Sequence, residues 1–247
     1  MSGVTPSPAV PGRRRRPAQV RSRERVEKVL EAASRIVVTS GVEALTTRSI
    51  AVAAGIPVAS LYQYFADRDA ILLALVERDT AEMDEQVRTD LAELEVLSIE
   101  SIVATTMRAY TKVYARRADF MEIWLRGRTN PAVHDYGRRH NRRTAAELRE
   151  LAIGAGLARP DLPPAAAELA VEIGDRVFQL AYETDRRGDE FLIREGIAMV
   201  TAYLRQYATP AGREGVRRPA GPDGARPPRD GAAPTAPETA PREEDQP

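Results

Sequence analysis

Between Thr46 and Phe65 the chain runs TTRSIAVAAGIPVASLYQYF, a pattern that predicts two short helices joined by a tight turn. Thr47 is expected to cap the first helix, because a threonine hydroxyl can accept an otherwise unpaired backbone N–H of the first turn. Gly55 ends this helix, since glycine enters the left-handed backbone region without the steric cost that other residues carry. Pro57 stands where a second helix begins, a position at which the missing N–H of proline costs nothing.

The second helix separates into two faces. Leu61 and Phe65 lie four residues apart, so both are expected to point into the core. The opposite face then presents hydroxyl, amide and aromatic groups, on Ser60, Tyr62, Gln63 and Tyr64. A helix with such a face and without a carboxylate can enter the major groove of DNA. For the first helix, the pattern predicts a small apolar face of Ile50, Val52, Ala53 and Ala54.

The ordered series TTRxIAxAAGIxxxSLYxYF, followed by ADRDAIL at residues 66–72, resembles the DNA-binding domain of the TetR family of bacterial regulators. The resemblance covers about residues 22–83. It implies an all-α, TetR-like fold of about nine helices, with a three-helix helix-turn-helix domain followed by a larger helical domain for ligand binding and dimerisation. A helix-turn-helix used only as a packing corner is the alternative.

The family motif also implies which side chains meet DNA. Phosphate contacts are implied for Thr47, Tyr62, Tyr64 and Arg68, whereas Tyr62 and Tyr64 could alternatively cover the small core. The residues implied to lie closest to the bases are Pro57, Val58, Ser60 and Gln63. An amide such as that of Gln63 can form paired hydrogen bonds with adenine, and Val58 or Ala59 can pack on a thymine methyl group.

The recognition helix departs from the family pattern at two positions. Many members carry Lys or Ser at the position of Val58 and Gly at that of Ala59, so this helix has no cation. A strong guanine preference is therefore not expected from the helix, and Arg48, Arg68 and the amino-terminal segment gain importance for DNA binding.

Basic residues concentrate at the amino-terminal end, although 36 Lys+Arg and 36 Asp+Glu balance over the whole chain. Residues 1–72 hold eleven basic against six acidic side chains, whereas residues 73–207 hold nineteen against twenty-three. This asymmetry is typical of a protein that touches phosphates with one end only.

Residues 1–21 are rich in Pro, Ser and Gly and lack the apolar surface needed to offset the entropy of ordering. We predict a disordered basic arm that follows the phosphates or enters the minor groove. Its basic run consists of Arg13, Arg14, Arg15 and Arg16. A solvated tail without a DNA contact is the alternative.

Several other classes of protein are disfavoured by composition. The chain has no cysteine, which excludes disulfides and thiolate metal sites. It has no apolar run of the ~18–20 residues that span a bilayer, and its start lacks the apolar segment of a secretory signal. We therefore expect a cytoplasmic protein.

Catalytic and metal chemistry finds little support in the sequence. His134 and His140 lie six residues apart and share no helix face, so a zinc site is not expected. Glu168, Glu172 and Asp175 share a face but lack the Glu-x-x-His pair of a di-iron site. No phosphate-binding glycine loop, nucleophile elbow or catalytic dyad occurs, so we predict no cofactor, no catalytic residues and no enzyme.

Helical periodicity continues on both sides of the motif, and no segment alternates with period two, so no sheet is predicted. A first helix is predicted over residues 22–40, and a long fourth helix begins at Asp67. The remaining long helices are predicted over residues 131–154, 164–187 and 189–207. Four segments result: the basic arm (1–21), the TetR-type helix-turn-helix domain (22–82, helix-turn-helix 46–65), the ligand-binding and dimerisation domain (83–207), and a disordered Pro/Ala/Gly-rich tail (208–247).

The resemblance implies an apolar effector pocket in the second domain. Large side chains with helical spacing are candidates for its lining, and a plain hydrophobic core is the alternative. The candidates are Met107, Tyr110, Tyr114, Phe120, Met121, Trp124, Tyr136, Phe178 and Tyr182.

The resemblance also implies a homodimer joined through the last two helices, because one recognition helix reads too few base pairs for selective binding. The predicted interface comprises Ala166, Leu169, Ala170, Ile173, Gly174, Val177, Val200 and Leu204. The same apolar stripe could equally be core within one protomer.

Together these features favour a sequence-specific transcriptional regulator that binds a double-stranded DNA operator and responds to an unknown small molecule. The expected form is a repressor released from a palindromic operator by a small apolar or aromatic effector. One alternative is an activator, or a DNA-binding regulator controlled by a partner protein. A second alternative is a helical-bundle enzyme.

Overall fold

The computed structural model describes residues 18–126 and 130–218, and within these residues the predicted all-α fold is confirmed. In chain order the helices are α1 (Ala18–Ser40), α2 (Thr47–Ala54), α3 (Val58–Leu61), α4 (Arg68–Ala92), α5 (Ile99–Arg116), α6 (Ala118–Met121), α7 (Pro131–Gly154), α8 (Pro164–Ala181), α9 (Glu190–Arg205) and α10 (Pro210–Glu214). A 3-10 turn (Val42–Ala44) follows α1, and a π-helical turn (Glu122–Arg126) follows α6. No helix in the described ranges is long and apolar enough to cross a membrane.

Two strands of two residues each add a minimal sheet that the sequence did not predict. Strand β1 (Val96–Leu97) pairs antiparallel with β2 (Val216–Arg217), with Val96 opposite Arg217 and Leu97 opposite Val216. Two residues are too few to show an alternating pattern, so this pairing has no signal in the sequence.

The first helix of the helix-turn-helix is capped by Thr46, and the prediction of Thr47 was wrong by one position. Thr46 Oγ1 accepts from the Ser49 backbone N–H at 3.0 Å, and Ser49 Oγ accepts from the Thr46 N–H at 3.0 Å. This reciprocal pair is a capping box, which requires a partner three residues after the cap. Ser49 supplies that partner to Thr46.

The turn and the core contacts of this unit follow the sequence pattern with one exception. Gly55 ends α2 in the left-handed region, with φ 66° and ψ 36°, as predicted. Leu61 and Phe65 are buried as predicted. On α2, however, Ile50 and Ala51 face the core, whereas Val52 is 75% exposed and Ala53 is exposed, contrary to the predicted apolar face. A helix of eight residues is too short for composition alone to fix its buried face.

Helix α4 belongs to two regions of the core. Asp67 caps it by accepting from the Ala70 N–H at 2.8 Å, one residue before the helix begins. Its first turns bury Ile71, Leu72 and Leu75, and its later turns bury Met83, Val87 and Leu91. Helix α1 packs against both α2 and α4, and α5 packs along α4. One rigid helix therefore connects the helix-turn-helix with the larger bundle.

The larger bundle is built from α5, α7, α8 and α9, which pack against one another. Asn130 caps α7 ahead of Pro131, as predicted, because its Oδ1 accepts from the N–H groups of Ala132 (3.0 Å) and Val133 (3.2 Å). Helix α8 ends at Ala181, six residues before its predicted end. The predicted division between domains at residues 82 and 83 stays a prediction.

The folded chain extends beyond the predicted start of the tail at residue 208. Thr209 donates its backbone N–H to the Leu157 carbonyl at 2.9 Å and its hydroxyl to the Gly156 carbonyl at 2.7 Å. Gly212 packs so closely that a Cβ there would lie 1.9 Å from the Leu157 oxygen. The prediction of a tail from residue 208 onward was wrong for residues 208–217. These residues attach to the fold through backbone hydrogen bonds and a closely packed glycine, and such contacts leave no hydrophobic pattern in the sequence. Residues 219–247, like residues 1–17, lie outside the described part of the chain.

Candidate DNA-binding face and effector cavity

Helix α3 is held by two buried residues and leaves its other side exposed. Pro57 occupies the N-cap position with φ −61° and ψ 141°, so the helix begins at Val58, one residue after the position predicted for proline. Leu61 has no exposed surface and Phe65 has 8%. Backbone bonds from Tyr64 and Phe65 to the Leu61 carbonyl continue the helical turn past its end. The side chains between these anchors are thereby fixed in direction.

The exposed side of α3 carries polar and aromatic groups. Tyr62 is 53% exposed, Gln63 and Ala59 are exposed, and Ser60 is half-buried. Val58 and Tyr64 are half-buried and pack against the core, so they share their surface between the core and the outside. Their predicted contacts with DNA stay predictions.

Helix α2 contributes groups beside α3. Thr47 Oγ1 and Tyr62 Oη lie 3.2 Å apart, so the structure joins two of the predicted phosphate ligands by a hydrogen bond. Arg48 is exposed, and Pro57 is exposed at the start of α3. The sequence has no acidic residue from residue 44 to residue 66. This surface therefore presents hydroxyl, amide and guanidinium groups without a competing carboxylate, as a phosphate contact requires.

Arg68 opens α4 at the edge of this face. Its Nε is buried without a hydrogen-bond partner among the described residues and lies 3.9 Å from Asp69 Oδ1. The side chain as a whole is 35% exposed. The predicted contact of Arg68 with a phosphate stays a prediction. The predicted basic run Arg13 to Arg16 lies outside the described residues, so its position relative to this face stays a prediction.

The larger bundle encloses an apolar cavity bounded by α5, α7 and α8, with α9 at one side. It contains about 830 Å³ of atom-free space, part of which is open to solvent. Of the nine predicted lining residues, Met107, Tyr110 and Phe178 lie on its wall. Much of the remaining wall consists of small side chains, namely Ala145, Ala152, Ala158, Ala167, Ala170 and Gly174. Small residues on facing helices leave the space that larger side chains would fill.

The other six predicted lining residues lie outside this cavity, and four of them form a connected cluster of rings. Tyr114 contacts Phe178, Tyr182 and Phe120 with ring centroids 5.4, 5.2 and 5.8 Å apart. Phe120 in turn contacts Trp124 at 5.4 Å. Met121 is buried in the same core, and Tyr136 donates to or accepts from Thr80 at 2.7 Å across α4 and α7. Tyr114, Met121 and Tyr182 also line a separate, more polar cleft, and Trp124 lines another, so the predicted effector contacts of these residues stay predictions.

Few polar groups meet the cavity, and most of them have partners. Burial raises the pKa of Tyr110 well above its ordinary value, and nearby carboxylates raise it further, against a hydrogen bond with Thr144 that lowers it. The Tyr110 hydroxyl is therefore neutral. Asp175 accepts from Trp124 Nε1 at 3.1 Å and from Gln179 Nε2 at 3.3 Å. Thr106 Oγ1 is buried at the wall without a hydrogen-bond partner among the described residues. No pattern in the sequence distinguishes Thr106 from other helix threonines.

Most of the predicted dimer residues face inward. Ala166, Ala170, Gly174, Val177 and Val200 are buried within the protomer, and Ile173 and Leu204 are half-buried. Of the eight, only Leu169 is exposed, at 48%. Five of the predicted contacts thus belong to the protomer's own core, because α8 and α9 pack closely at Gly196 and the cavity lies behind them. The larger apolar side chains exposed on α8 and α9 are Leu169, Leu180, Phe191 and Met199.

Comparison with known proteins agrees with this arrangement. A family model described as bacterial regulatory proteins, tetR family, matches residues 29–75. A second, described as Tetracyclin repressor-like, C-terminal domain, matches residues 98–204. Among curated proteins no relative was found.

Solved structures show the same fold. A TetR-family transcriptional regulator from Streptomyces coelicolor has 27% sequence identity and a TM-score of 0.60, over 74% of this chain and 99% of that chain. SmeT, the repressor of the Stenotrophomonas maltophilia multidrug efflux pump SmeDEF, has 24% identity and a TM-score of 0.57, over 76% and 92%. The multidrug binding protein EbrR, solved with imidazole, has 20% identity and a TM-score of 0.57, over 73% and 90%. With both family models matching, and more than half of the residues covered between them, the chain belongs to the TetR family of bacterial transcriptional regulators.

Proposed function

We propose that this regulator binds a palindromic operator as a homodimer and that a small apolar effector in the cavity releases it. The observation that carries the proposal is the position of α4. The helix packs against α1 of the helix-turn-helix unit and against α5, which lines the cavity, and it buries residues in both its first and its last turns. A change in the bundle therefore has a rigid route to the surface that meets DNA.

Operator reading is assigned to the exposed side of α3. Gln63 supplies the one amide there, and amides pair well with adenine. Thr47, Tyr62, Arg48 and Arg68 supply hydroxyl and guanidinium groups for phosphates, which give affinity more than sequence preference. We expect operator half-sites in which A·T pairs face α3.

The effector is expected to be uncharged and largely apolar. The cavity wall is largely aliphatic and aromatic, and its two charged residues are already engaged: Asp175 accepts from Trp124 and Gln179, and Arg149 donates from Nε to the Leu162 carbonyl at 2.7 Å. A cationic ligand would lose its hydration without gaining a free carboxylate, at a cost of several kcal/mol or more. SmeT and EbrR, whose structures resemble this one, are described as a repressor of a multidrug efflux pump and a multidrug binding protein. These relatives support the repressor and the small-molecule response as proposals for this chain.

The homodimer is proposed on the exposed side of α8 and α9. One α3 helix reads only a few base pairs, so selective binding requires two copies with half-sites about one helical turn apart or more. The side chains that offer apolar area for such a contact are Leu169, Leu180, Phe191 and Met199. This surface replaces most of the interface predicted from the sequence.

A DNA-release experiment distinguishes this proposal from the alternatives of an activator and of a regulator controlled by a partner protein. The probe is N-phenyl-1-naphthylamine, a neutral apolar fluorophore, titrated into the full-length protein bound to a labelled duplex from immediately upstream of its gene. We expect the fluorophore to brighten on binding and to weaken the DNA complex, since coupling of ~1–3 kcal/mol changes affinity about 5–150-fold. Brightening without any change in DNA affinity would contradict the effector-released repressor and favour control by a partner protein.

A matched pair of glycine variants assigns the probe to the cavity. Gly174 lines the cavity, and a Cβ built there has nothing within 4 Å. Gly174→Met is expected to fill the cavity and abolish fluorophore binding. Gly154, at the end of α7, also has open space around its Cβ position but does not line the cavity. Gly154→Met should bind the fluorophore as the parent does, and equal loss in both variants would place the probe elsewhere.

A further inference from the structure

Helix α7 connects the cavity to the first turn of α4. Its carboxyl-terminal half lines the cavity with Thr144, Ala145, Leu148 and Ala152. At its other end, the capping residue Asn130 reaches across to α4 and donates from Nδ2 to Asp69 Oδ1 at 2.8 Å. A single uninterrupted helix of 24 residues, α7, therefore joins the cavity wall to the contact with Asp69.

The amide of Asn130 serves both helices at once. Its Oδ1 accepts the first free N–H groups of α7, from Ala132 and Val133, while its Nδ2 binds the carboxylate of Asp69. Any shift of the α7 amino terminus therefore moves the donor that holds Asp69.

Asp69 lies beside a residue to which the family motif gives a DNA contact. The oxygen that accepts from Asn130, Asp69 Oδ1, is also the atom 3.9 Å from Arg68 Nε. Asp69 is exposed, with 54% of its side chain accessible, so its carboxylate can change direction once it is released. A carboxylate turned toward Arg68 competes with a DNA phosphate for the same guanidinium.

Further bonds along the same two helices make them move together. Thr80 on α4 and Tyr136 on α7 share a hydrogen bond of 2.7 Å. Asp84 on α4 accepts from Arg143 on α7 at 2.8 Å. These contacts lie between the cavity-lining part of α7 and Asn130, so displacement of α7 at the cavity is not lost within the bundle.

We propose that Asn130 is a positioning residue for DNA binding, which engages the Asp69 oxygen nearest Arg68, keeps that oxygen 3.9 Å from Arg68 Nε instead of hydrogen-bonded to it, and places this phosphate contact under the control of α7. The inference rests on the proposed function, because it requires that Arg68 meets DNA and that the cavity takes an effector. The inference adds the route by which an effector in the cavity acts on the contact between Arg68 and DNA.

The test is a double-mutant cycle with the full-length protein and the labelled upstream duplex. Asn130→Ser keeps a good capping residue but is too short to reach Asp69. We expect it to weaken DNA binding about fivefold, because the released carboxylate of Asp69 then competes with the phosphate for Arg68 as an exposed ion pair. In an Asp69→Ala background the same substitution should change nothing, because no carboxylate is left to release. Asp69→Ala alone should bind DNA at least as tightly as the parent.

The outcomes distinguish this inference from the function on which it rests. An equal loss in both backgrounds would mean that Asn130 acts only through the cap of α7, and no loss in either would mean that it has no role; both results overturn the inference. A parent protein that prefers the upstream duplex no more than a shuffled one would overturn the proposed function and the inference together.

A second readout tests the link to the cavity. With N-phenyl-1-naphthylamine at saturation, the parent complex should lose DNA affinity by a larger factor than the Asn130→Ser complex, because the variant has already released Asp69. The same factor in both proteins would overturn the role of Asn130 in transmission. Thermal melting by circular dichroism should give the same transition for Asn130→Ser and the parent, which excludes loss of the α7 cap as the cause.

Discussion

Gln63 is the residue on which base discrimination depends most. It is exposed on α3, has no described bond to another side chain of the fold, and follows Tyr62, which is tied to Thr47. Phosphate contacts hold the protein in register on the duplex, so the loss of one base-reading amide leaves that register intact.

We predict that Gln63→Ala lowers affinity for the upstream duplex by about 1–3 kcal/mol, or about 5–150-fold, while affinity for a shuffled duplex stays unchanged. Competition titrations with the two duplexes measure both quantities in one experiment. Gln206→Ala, at an exposed position on the far end of α9, is the matched control and should alter neither. Equal weakening on both duplexes would show that Gln63 contacts the backbone of the DNA or only supports the fold.

Asp79 on α4 is a buried carboxylate whose charge is costly to the fold. Burial raises its pKa from 3.8 to about 6, against the ion pairs with Arg78 at 2.8 Å and Arg117 at 3.8 Å, and the neighbouring charge of Asp119 raises it further. Its Oδ2 has no hydrogen-bond partner within the described residues. Because the folded state binds the proton more tightly than the unfolded chain, this group contributes most stability below about pH 4 and loses it as the pH rises through about 6.

The resulting prediction compares Asp79→Asn with the parent by urea unfolding at pH 4.5 and pH 7.5. The free energy of unfolding of the parent, relative to the variant, should fall by about 2 kcal/mol between the two values, at 1.36 kcal/mol per pKa unit. The comparison cancels the groups that titrate alike in both proteins. A difference that is independent of pH, or that grows in favour of the parent at pH 7.5, would contradict the assigned pKa.

The crossing of α8 and α9 depends on one glycine. A Cβ on Gly196 would lie 2.5 Å from Val177 Cγ1, so the two helices meet at a distance that only glycine permits. Both helices also bound the cavity, through Gly174 and Phe178 on α8 and Val200 on α9. The spacing of α8 and α9 therefore sets both the shape of the cavity and the surface proposed for the dimer.

We predict that Gly196→Ala lowers the free energy of unfolding by about 1–3 kcal/mol, because overpacking must separate the helices. Gly154→Ala has free space around its added methyl group and should raise the free energy of unfolding by about 0.4–1 kcal/mol, as a helical Gly→Ala exchange does. Urea denaturation of both variants measures the change in the free energy of unfolding, which should be negative for Gly196→Ala and positive for Gly154→Ala. A gain in stability for Gly196→Ala would mean that the helices are not in contact at this point.

Local signals in the sequence were sufficient for the helix-turn-helix and for the start of α7. Gly55, the anchors Leu61 and Phe65 and the Asn130 cap each act within a few residues, so their roles can be derived from neighbours in the chain. The cap at Thr46 was missed by one residue because both threonines satisfy the same rule and only the Ser49 contact selects between them.

Tertiary features had no comparable signal. The cavity arises where small residues of α7 and α8 face each other, and the sequence assigned Ala170 and Gly174 to the dimer instead. The extension at Thr209 and Gly212 folds through backbone bonds, which composition does not reveal. The buried face of α8 is determined by the helices that pack against it, and the sequence of α8 alone does not show which face that is.

At the scale of the whole molecule, charge is expected to set the strength of DNA binding. Eleven of the basic residues fall within residues 1–72, and Arg13 to Arg16 are four consecutive ones. Each phosphate that a cation neutralises adds about 0.9 to the slope of the logarithm of affinity against the logarithm of salt concentration.

We predict that removal of residues 1–17 reduces this slope by about 2–4, corresponding to the contacts of the four arginines. Titrations of the upstream duplex at several salt concentrations measure the slope for the truncated and intact proteins. Removal of residues 219–247, which the described fold does not include, is the matched control and should leave the slope unchanged. Equal slopes for the intact protein and the protein lacking residues 1–17 would assign no DNA contact to the basic arm.

The central claim is that two copies of the α3 face read a symmetric operator, and hydroxyl-radical footprinting of the upstream DNA tests it most directly. The predicted result is a pair of protected regions related by a two-fold axis and spaced about one helical turn apart or more, which the effector probe N-phenyl-1-naphthylamine erases and Gln63→Ala weakens. Uniform cleavage along the fragment at low salt, or a single unpaired protection that survives Gln63→Ala, would contradict it.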